Sequence, residues 1–416
     1  MTFEALARLA ASRDRLAAPP QPPRGEPPTA TGSTSARLGP FHGPVDVIVT
    51  LCELNGRHGT GVLVQRLFGA GASIVTVRSR DLYGGEQDFG ARRTILAHGE
   101  ATRAEVFSSI LDLVAGLQVR RILAIPYKHD DVRSAIALKA ITGAPLLTWI
   151  MDDQNVEATE IPDAPLRELL ERSELRLAIS AEMRGAYQSK YGLSFHLAPP
   201  AAPPAHLLRH PAAADAGRLA ARHGLVVGNI WGERWLDDLL EALRGSGVAL
   251  DWHSAGGCPW MKIDEDRLAA AGLRLRGHLP EPELVAALRA SPFVVVPSGT
   301  FEGEDSHRFV ARLSLPSRIP YVAATSGTPV VVVGHPETAA ARFVRRHDLG
   351  VVTPYDRRAF RAAIDGVCTA EAQARHRAAA AALAPALSSA GMASWLWNSL
   401  ALGRPADDRF APLERT

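Results

Sequence analysis

Two doubly wound α/β domains in tandem are what this sequence predicts, and three observations carry that reading. Short apolar runs, many of them β-branched, recur along the chain with helix-length segments between them, which is the punctuation of βαβ units on a parallel sheet. A proline-rich stretch, Pro199-Pro200-Ala201-Ala202-Pro203-Pro204, interrupts the alternation near the middle, and the alternation then starts again. With 416 residues, 46% of them hydrophobic, the chain can bury two cores of ordinary size.

In the first half the runs at 45–50, 73–77, 122–125 and 146–151 are the expected strands. Val106, Ile110, Val114 and Leu117 follow the helical spacing of one buried face, and 135–140 reads the same way. After the prolines, where extended geometry favours a linker, strands are expected at 225–230, 249–253, 273–276, 293–296, 330–333 and 351–352. Val294-Val295-Val296 and 330–333 are bounded by Pro, Gly and Ser, as suits strands covered on both faces. Helices at 357–367 and 370–386 precede Ser394-Trp395-Leu396-Trp397. The resulting division is a Pro-rich tail over 1–40 that cannot bury a core, a first domain over 41–205, a second over 206–390, and a closing segment over 391–416.

Composition narrows the function classes. Lys plus Arg (46) nearly balances Asp plus Glu (44), so no field points to nucleic acid. Cys52, Cys258 and Cys368 lie far apart. They suggest neither a disulfide frame nor a zinc site, and a reducing cytoplasm is the expected setting. No signal-peptide pattern opens the chain, and no segment reaches the ~20 apolar residues of a membrane span. Contact with a membrane surface stays open.

In an open α/β sheet, ligands bind outside the carboxyl ends of the strands, where helix N-termini attract phosphate. Pro297-Ser298 and Ser317-Arg318 stand at such an edge. So does the turn Asn55-Gly56-Arg57-His58-Gly59-Thr60-Gly61, whose glycines permit close backbone approach. It lacks the spacing Gly-x-Gly-x-x-Gly, which argues against a nicotinamide enzyme.

The order of these pieces resembles that of the B-fold glycosyltransferases, in particular the family-four-like group (glycosyl transferases group 1), over residues 43–400. The pieces are the Gly-rich first turn, Asp152-Asp153 after the strand at 146–151, Leu177-Ala178-Ile179-Ser180, Gly277-His278, Leu315-Pro316-Ser317-Arg318, and Gly327-Thr328-Pro329. The resemblance implies two Rossmann-like domains facing across a cleft, the second holding a nucleotide sugar and the first an acceptor, with the final helix returning to the first domain. It also implies transfer to a hydroxyl with retained anomeric configuration, and no metal or cofactor beyond the nucleotide sugar itself. A glycan, a lipid-linked molecule or a small molecule would be the acceptor, in the cytoplasm or at the inner face of a membrane.

Carried onto this chain, the resemblance makes Gly59, Thr60 and Gly61 candidates for the donor phosphate or the transferred sugar; a tight turn needing Gly only for packing is the alternative. His129 is the candidate beside the reacting sugar, with Tyr127 equally eligible by spacing and a helix start over Asp130-Asp131 as the plainer reading. Of Asp152 and Asp153, one is expected to face the cleft and the other to hold the loop, and Asp153 is the catalytic candidate. Arg234 stands where the group has the second of two diphosphate-binding cations, and Asn229 replaces the first. Pro297-Ser298-Gly299-Thr300-Phe301-Glu302-Gly303 resembles a segment whose Glu opens a pair of glutamates. Glu302 is therefore the third catalytic candidate, with Glu304 and Asp305 as substitutes, and the second glutamate has no counterpart. Ser298, Ser317 and Arg318 complete the donor set. His278 and His335 are assigned no role; Trp231, Trp235, Trp252 and Trp260 could frame a base or a sugar by stacking, with core burial as the plainer reading. A B-fold epimerase, or a nucleotide-sugar-binding or scaffold protein without catalysis, are the competing readings.

Overall fold

The computed structural model describes residues 43–69, 73–87, 89–211, 213–254, 261–303, 305 and 307–414. The tail expected over 1–40, together with Cys258, Trp260 and Glu304, lies outside the described residues.

Two parallel sheets are built in sequence. The first contains β1 (Val45–Thr50), β2 (Ile74–Arg78), β3 (Arg92–Ile95), β4 (Val119–Ile125), β5 (Leu146–Ile150), β6 (Leu175–Ala178) and β7 (His196–Leu197), in the spatial order β3-β2-β1-β4-β5-β6-β7. The second contains β8 (His223–Val227), β9 (Ala249–His253), β10 (Leu273–Leu275), β11 (Val294–Pro297), β12 (Val330–Val333) and β13 (Gly350–Thr353), in the order β10-β9-β8-β11-β12-β13. In each sheet the order reverses once, between β1 and β4 and between β8 and β11. Those two reversals are where an open sheet leaves a crevice at its carboxyl edge.

The strand interiors are apolar because helices cover both faces. Along the second sheet, Leu225, Val294, Val296, Val330 and Val332 join one core cluster while Val226, Val295, Val331 and Val333 join the other, the period of two that a pleated strand imposes. The run expected over 225–230 ends at Val227 because Gly228 turns the chain with φ 74°. β3, β6 and β7 escape the apolar pattern. β3 reads Arg-Arg-Thr-Ile, β6 carries Arg176, and β7 has two residues.

The proline stretch is a pinned crossing. The Ala202 N–H donates to Leu387 O at 2.8 Å and the Ser389 N–H donates to Ala202 O at 2.8 Å, so the outgoing and returning chains run side by side between the domains. Beyond this crossing the Met392–Leu402 helix packs on the first domain. Its Trp397 ring lies 5.4 Å from Phe68 and beneath the Arg121 guanidinium at 4.3 Å.

Close packing gives one glycine of β8 a defined role. A Cβ at Gly224 would sit 2.1 Å from Cε2 of Phe293, which is fully buried. Gly224→Ala should therefore destabilise the second domain by about 1–3 kcal/mol, the usual cost of overpacking a core. A denaturant midpoint equal to wild type would show that the ring moves aside freely.

Candidate functional site

The carboxyl edge of the first sheet is closed by the helix Gly59–Phe68 and the loops after β4 and β5. The glycines of the first turn divide between two purposes. A Cβ at Gly61 would come within 2.5 Å of Asn55 O and 2.6 Å of Asn55 N, so Gly61 lets the helix lie against its own turn. Gly59 is exposed, and a Cβ there would be 3.7 Å from Ser317 Oγ of the second domain. Thr60 is buried, and its Oγ1 lies 2.7 Å from the Tyr127 hydroxyl.

Tyr127, in the loop after β4, belongs to the cleft, whereas His129 does not join that group. His129 opens the helix His129–Thr142, and its electrostatic neighbours are Arg133, Asp130 and His98. The plainer reading of this segment is the one realised. Asp131 caps the helix by accepting the Tyr127 and Lys128 N–H groups at 2.9 Å each, and Asp130 pairs with Arg80 at 3.0 Å.

The two aspartates after β5 separate by role in the order opposite to that expected. Asp153 is fully buried and accepts the backbone N–H groups of Asn155, Val156, Glu157 and Ala158 at 2.7–3.3 Å, with the Tyr187 hydroxyl at 3.0 Å. Both its oxygens are spent on the loop, which leaves no capacity for a substrate. Asp152 is the carboxylate of the cleft, bonded by the side chains of Ser314 and Tyr127. Burial pushes Asp152 up to about 6, and the neighbouring charge of Asp153 adds to this while the two hydrogen bonds oppose it.

The second domain meets this edge through residues 313–318. The Asp153 N–H donates to Ser314 Oγ at 3.2 Å, and the Ser180 hydroxyl donates to Leu313 O at 2.5 Å. Ser317 precedes the helix Arg318–Thr325 and faces Gly59; in the first turn of that helix Pro320 has no N–H and the Ile319 N–H donates to Pro316 O at 3.0 Å. Arg318 donates Nη1 to Val227 O at 2.9 Å and Nη2 to Asn229 O, which fixes the guanidinium at the carboxyl end of β8. The Asn229 side chain is occupied in turn, accepting from the Ser254 hydroxyl at 3.0 Å.

Ser298 closes β11. It is buried, and its N–H and carbonyl both bond the Tyr355 hydroxyl, at 3.0 and 2.8 Å. Asp305 is buried and organises the following loop by accepting the Trp235 indole N–H at 3.0 Å and the Thr300 and His307 N–H groups at 2.9 Å each. Glu302 is exposed and forms an ion pair with Arg234 at 2.5 Å, so these two candidates meet one another. Just before Glu302, Phe301 adopts φ 63°, with its ring 4.7 Å from His335 and the Arg312 guanidinium 4.5 Å from its centre. Trp235 and Trp252 are core, but Trp231 is 41% exposed beside Asn229, contrary to the plainer reading of core burial.

The structure thus brings Gly59 and Ser317 face to face, with Thr60 and Arg318 next to them in the chain, places Ser298 at the end of the strand beside β8, and pairs Arg234 with Glu302. It adds Tyr127, Asp152 and Ser314. Tyr127 and Asp152 were within reach of the sequence as neighbours of the chosen residues; Ser314 carries no local signal. Among the described residues, no three His, Cys, Asp or Glu side chains are grouped closely enough to hold a metal ion, and no helix is long and apolar enough to cross a membrane.

No protein-family model and no curated protein matches this chain. Solved structures do resemble it. HepE from Anabaena, in complex with UDP, superposes with a TM-score of 0.59 at 14% identity, covering 86% of this chain and 100% of its own. The trehalose-6-phosphate synthase OtsA gives 0.58 at 12%, covering 86% and 99%. A putative UDP-N-acetylglucosamine 2-epimerase from Listeria monocytogenes gives 0.53 at 11%, covering 86% and 96%. At these identities the likeness shows the architecture, which is the glycosyltransferase B fold.

The contrast between the aspartates is measurable. Asp153→Asn should cost about 2–4 kcal/mol because a buried carboxylate loses charge-assisted bonds to several amides. Asp152 behaves differently. With its folded value raised to about 6, it gives stability that is fully present below the ordinary carboxylate range and lost as pH rises through about 6. The stability gap between wild type and Asp152→Asn should therefore shift by about 1–2 kcal/mol between about pH 4 and pH 7.5, followed by urea unfolding at each pH. A gap that does not vary with pH would show that the half-buried Asp152 is not desolvated.

Proposed function

Starting from a glycosyltransferase B fold, we propose that the chain transfers a sugar from a nucleotide-sugar donor to a hydroxyl acceptor. The observation that carries this reading is the meeting of two strand-edge crevices at one gap. Gly59 and Thr60 reach it from the first domain, and Ser317 and Arg318 reach it at a helix N-terminus of the second. The likeness to a UDP-bound structure supports a nucleotide in that gap.

In this reading the diphosphate lies against the first turn of Arg318–Thr325. Its negative charge grows as the glycosidic bond breaks, and the positive end of this helix together with the Arg318 guanidinium stabilises that growth. Arg318 is held by two carbonyls, which orient the cation. The transferred sugar then faces Thr60, Tyr127 and Asp152, and a carboxylate or hydroxyl there would hold a sugar hydroxyl in place. No metal enters this scheme. Retention of configuration, with the departing phosphate oxygen taking the acceptor proton, is the finer part of the proposal.

Epimerisation of a nucleotide sugar is the second reading, supported by the likeness to a putative 2-epimerase. Both readings share donor recognition and differ in whether an acceptor is required. Incubating a bound donor alone and following its anomeric and ring protons by NMR separates them, since a new sugar nucleotide without acceptor means epimerisation.

Calorimetric titration with UDP, GDP, ADP and TDP is expected to show one nucleoside diphosphate binding well ahead of the others. Arg318→Ala should weaken that ligand about tenfold or more, as expected for a charge-assisted contact of ~1.5–3 kcal/mol. Unchanged affinity would take Arg318 out of the donor site, and no binding by any of the four would sink the nucleotide-sugar reading.

A further inference from the structure

On another side of the second domain, a groove of about 610 Å³ is walled by the start of the helix Arg357–Val367 and by the turn Gly245-Ser246-Gly247. Arg357, Arg358 and Arg361 all line it. Arg357 and Arg361 lie one turn apart and so share a face of the helix. Arg361 is committed: Nη1 donates to Ser246 O, and Nε donates to Asp365 at 2.9 Å.

Arg357 and Arg358 are exposed, and among the described residues neither has an ion-pair partner. The two carboxylates in the walls are already engaged. Glu241 pairs with Arg244 at 2.5 Å, and Asp356 caps the helix by accepting the Ala359 N–H at 2.7 Å. Its three arginines outnumber the two carboxylates, so the groove carries net positive charge at the N-terminal end of a helix of eleven residues.

The turn opposite is shaped to keep this face bare. Gly245 and Gly247 adopt φ 67° and 71°, and a Cβ at Gly247 would come within 2.8 Å of Arg361 Nη1. Any side chain there would push the guanidinium aside. At the inner end of the groove stands Tyr355, whose hydroxyl holds both the N–H and the carbonyl of Ser298.

We propose that this groove binds a phosphorylated small molecule through Arg357 and Arg358, at a site separate from the interdomain gap. A guanidinium group matches phosphate oxygens in geometry as well as in charge. Neither a nucleobase nor a sugar is required for the contact, so inorganic pyrophosphate is a sufficient probe.

The test is a calorimetric titration of the full chain with inorganic pyrophosphate in an Arg318→Ala background, which weakens the gap as a competing site. Adding Arg357→Glu and Arg358→Glu should lower the affinity about tenfold or more, the scale of one lost charge-assisted contact. The control adds the same charge change at exposed arginines elsewhere, Arg209→Glu with Arg274→Glu, and should leave the affinity within about twofold if only screened, long-range charge is altered. An equal drop in the control, an unchanged affinity in the groove variant, or no heat from the parent would each overturn the site. The probe carries neither sugar nor base, so this outcome is independent of whether the gap transfers glycosyl groups. Wild-type-like circular dichroism of both double variants confirms that a loss of binding is not a loss of fold.

Discussion

Six residues, 313–318, must satisfy both domains at once, and the geometry of the gap follows from that constraint. On one side Leu313 O takes the Ser180 hydroxyl proton and Ser314 Oγ takes the Asp153 N–H. On the other side Arg318 reaches the carbonyls that end β8. The segment is therefore a bracket whose length sets the distance between two strand edges. Further contacts support the same closed arrangement, including Arg346 with Glu182 at 3.1 Å and Arg66 with Glu281 at 2.5 Å. Those pairs are partly exposed, and such pairs contribute ~0–1 kcal/mol each, so buried hydroxyl bonds and the apolar residues Leu313, Leu315 and Ile319 carry more of the registration.

The same bracket explains why two adjacent aspartates have opposite fates. Asp153 can accept four amides and a tyrosine hydroxyl only because the chain curls around it immediately after β5. That curl turns the preceding residue outward, to Ser314 and Tyr127. The proton arrangement is then constrained. Ser314 Oγ accepts from the Asp153 N–H and so has its own proton to give to Asp152. If Tyr127 gives its proton to Asp152 as well, Thr60 Oγ1 must be the donor in the Thr60–Tyr127 bond. One carboxylate thus orders hydroxyls from three segments of the chain.

Much of this fold could be read from the sequence because parallel strands covered on both faces are apolar throughout. All six strands of the second sheet lie within a few residues of the apolar runs that suggest them, and the one clear overrun, past Val227, ends at a glycine with positive φ. The edge strands β3 and β7 are hidden because an edge needs no apolar run. The site was less legible. Which of two neighbouring aspartates faces the gap depends on the path of the next five residues, which no periodicity records. A histidine in a loop and a histidine opening a helix look alike in sequence, so the helix start at His129 and its capping by Asp131 become visible only in three dimensions. Ser314 matters solely through contacts 161 residues away in sequence.

The two cations of the donor edge differ in what holds them, and the difference bears on how a diphosphate would enter. Arg234 is paired with Glu302 at 2.5 Å and lies 3.5 Å from Asp238. A ligand reaching it must exchange one anion for another, but Glu302 is exposed and a solvent-exposed pair of this kind is weak. Exchange at Arg234 is consequently easy and close to neutral in free energy. Arg318 is bonded to the carbonyls of Val227 and Asn229, and the helix it opens adds partial positive charge in the same direction. Affinity for a diphosphate is thus expected to rest mainly on Arg318 and the helix start. Arg234 and Glu302, joined at the rim and flanked by a Phe301 held at φ 63°, are placed to rearrange once the ligand has arrived.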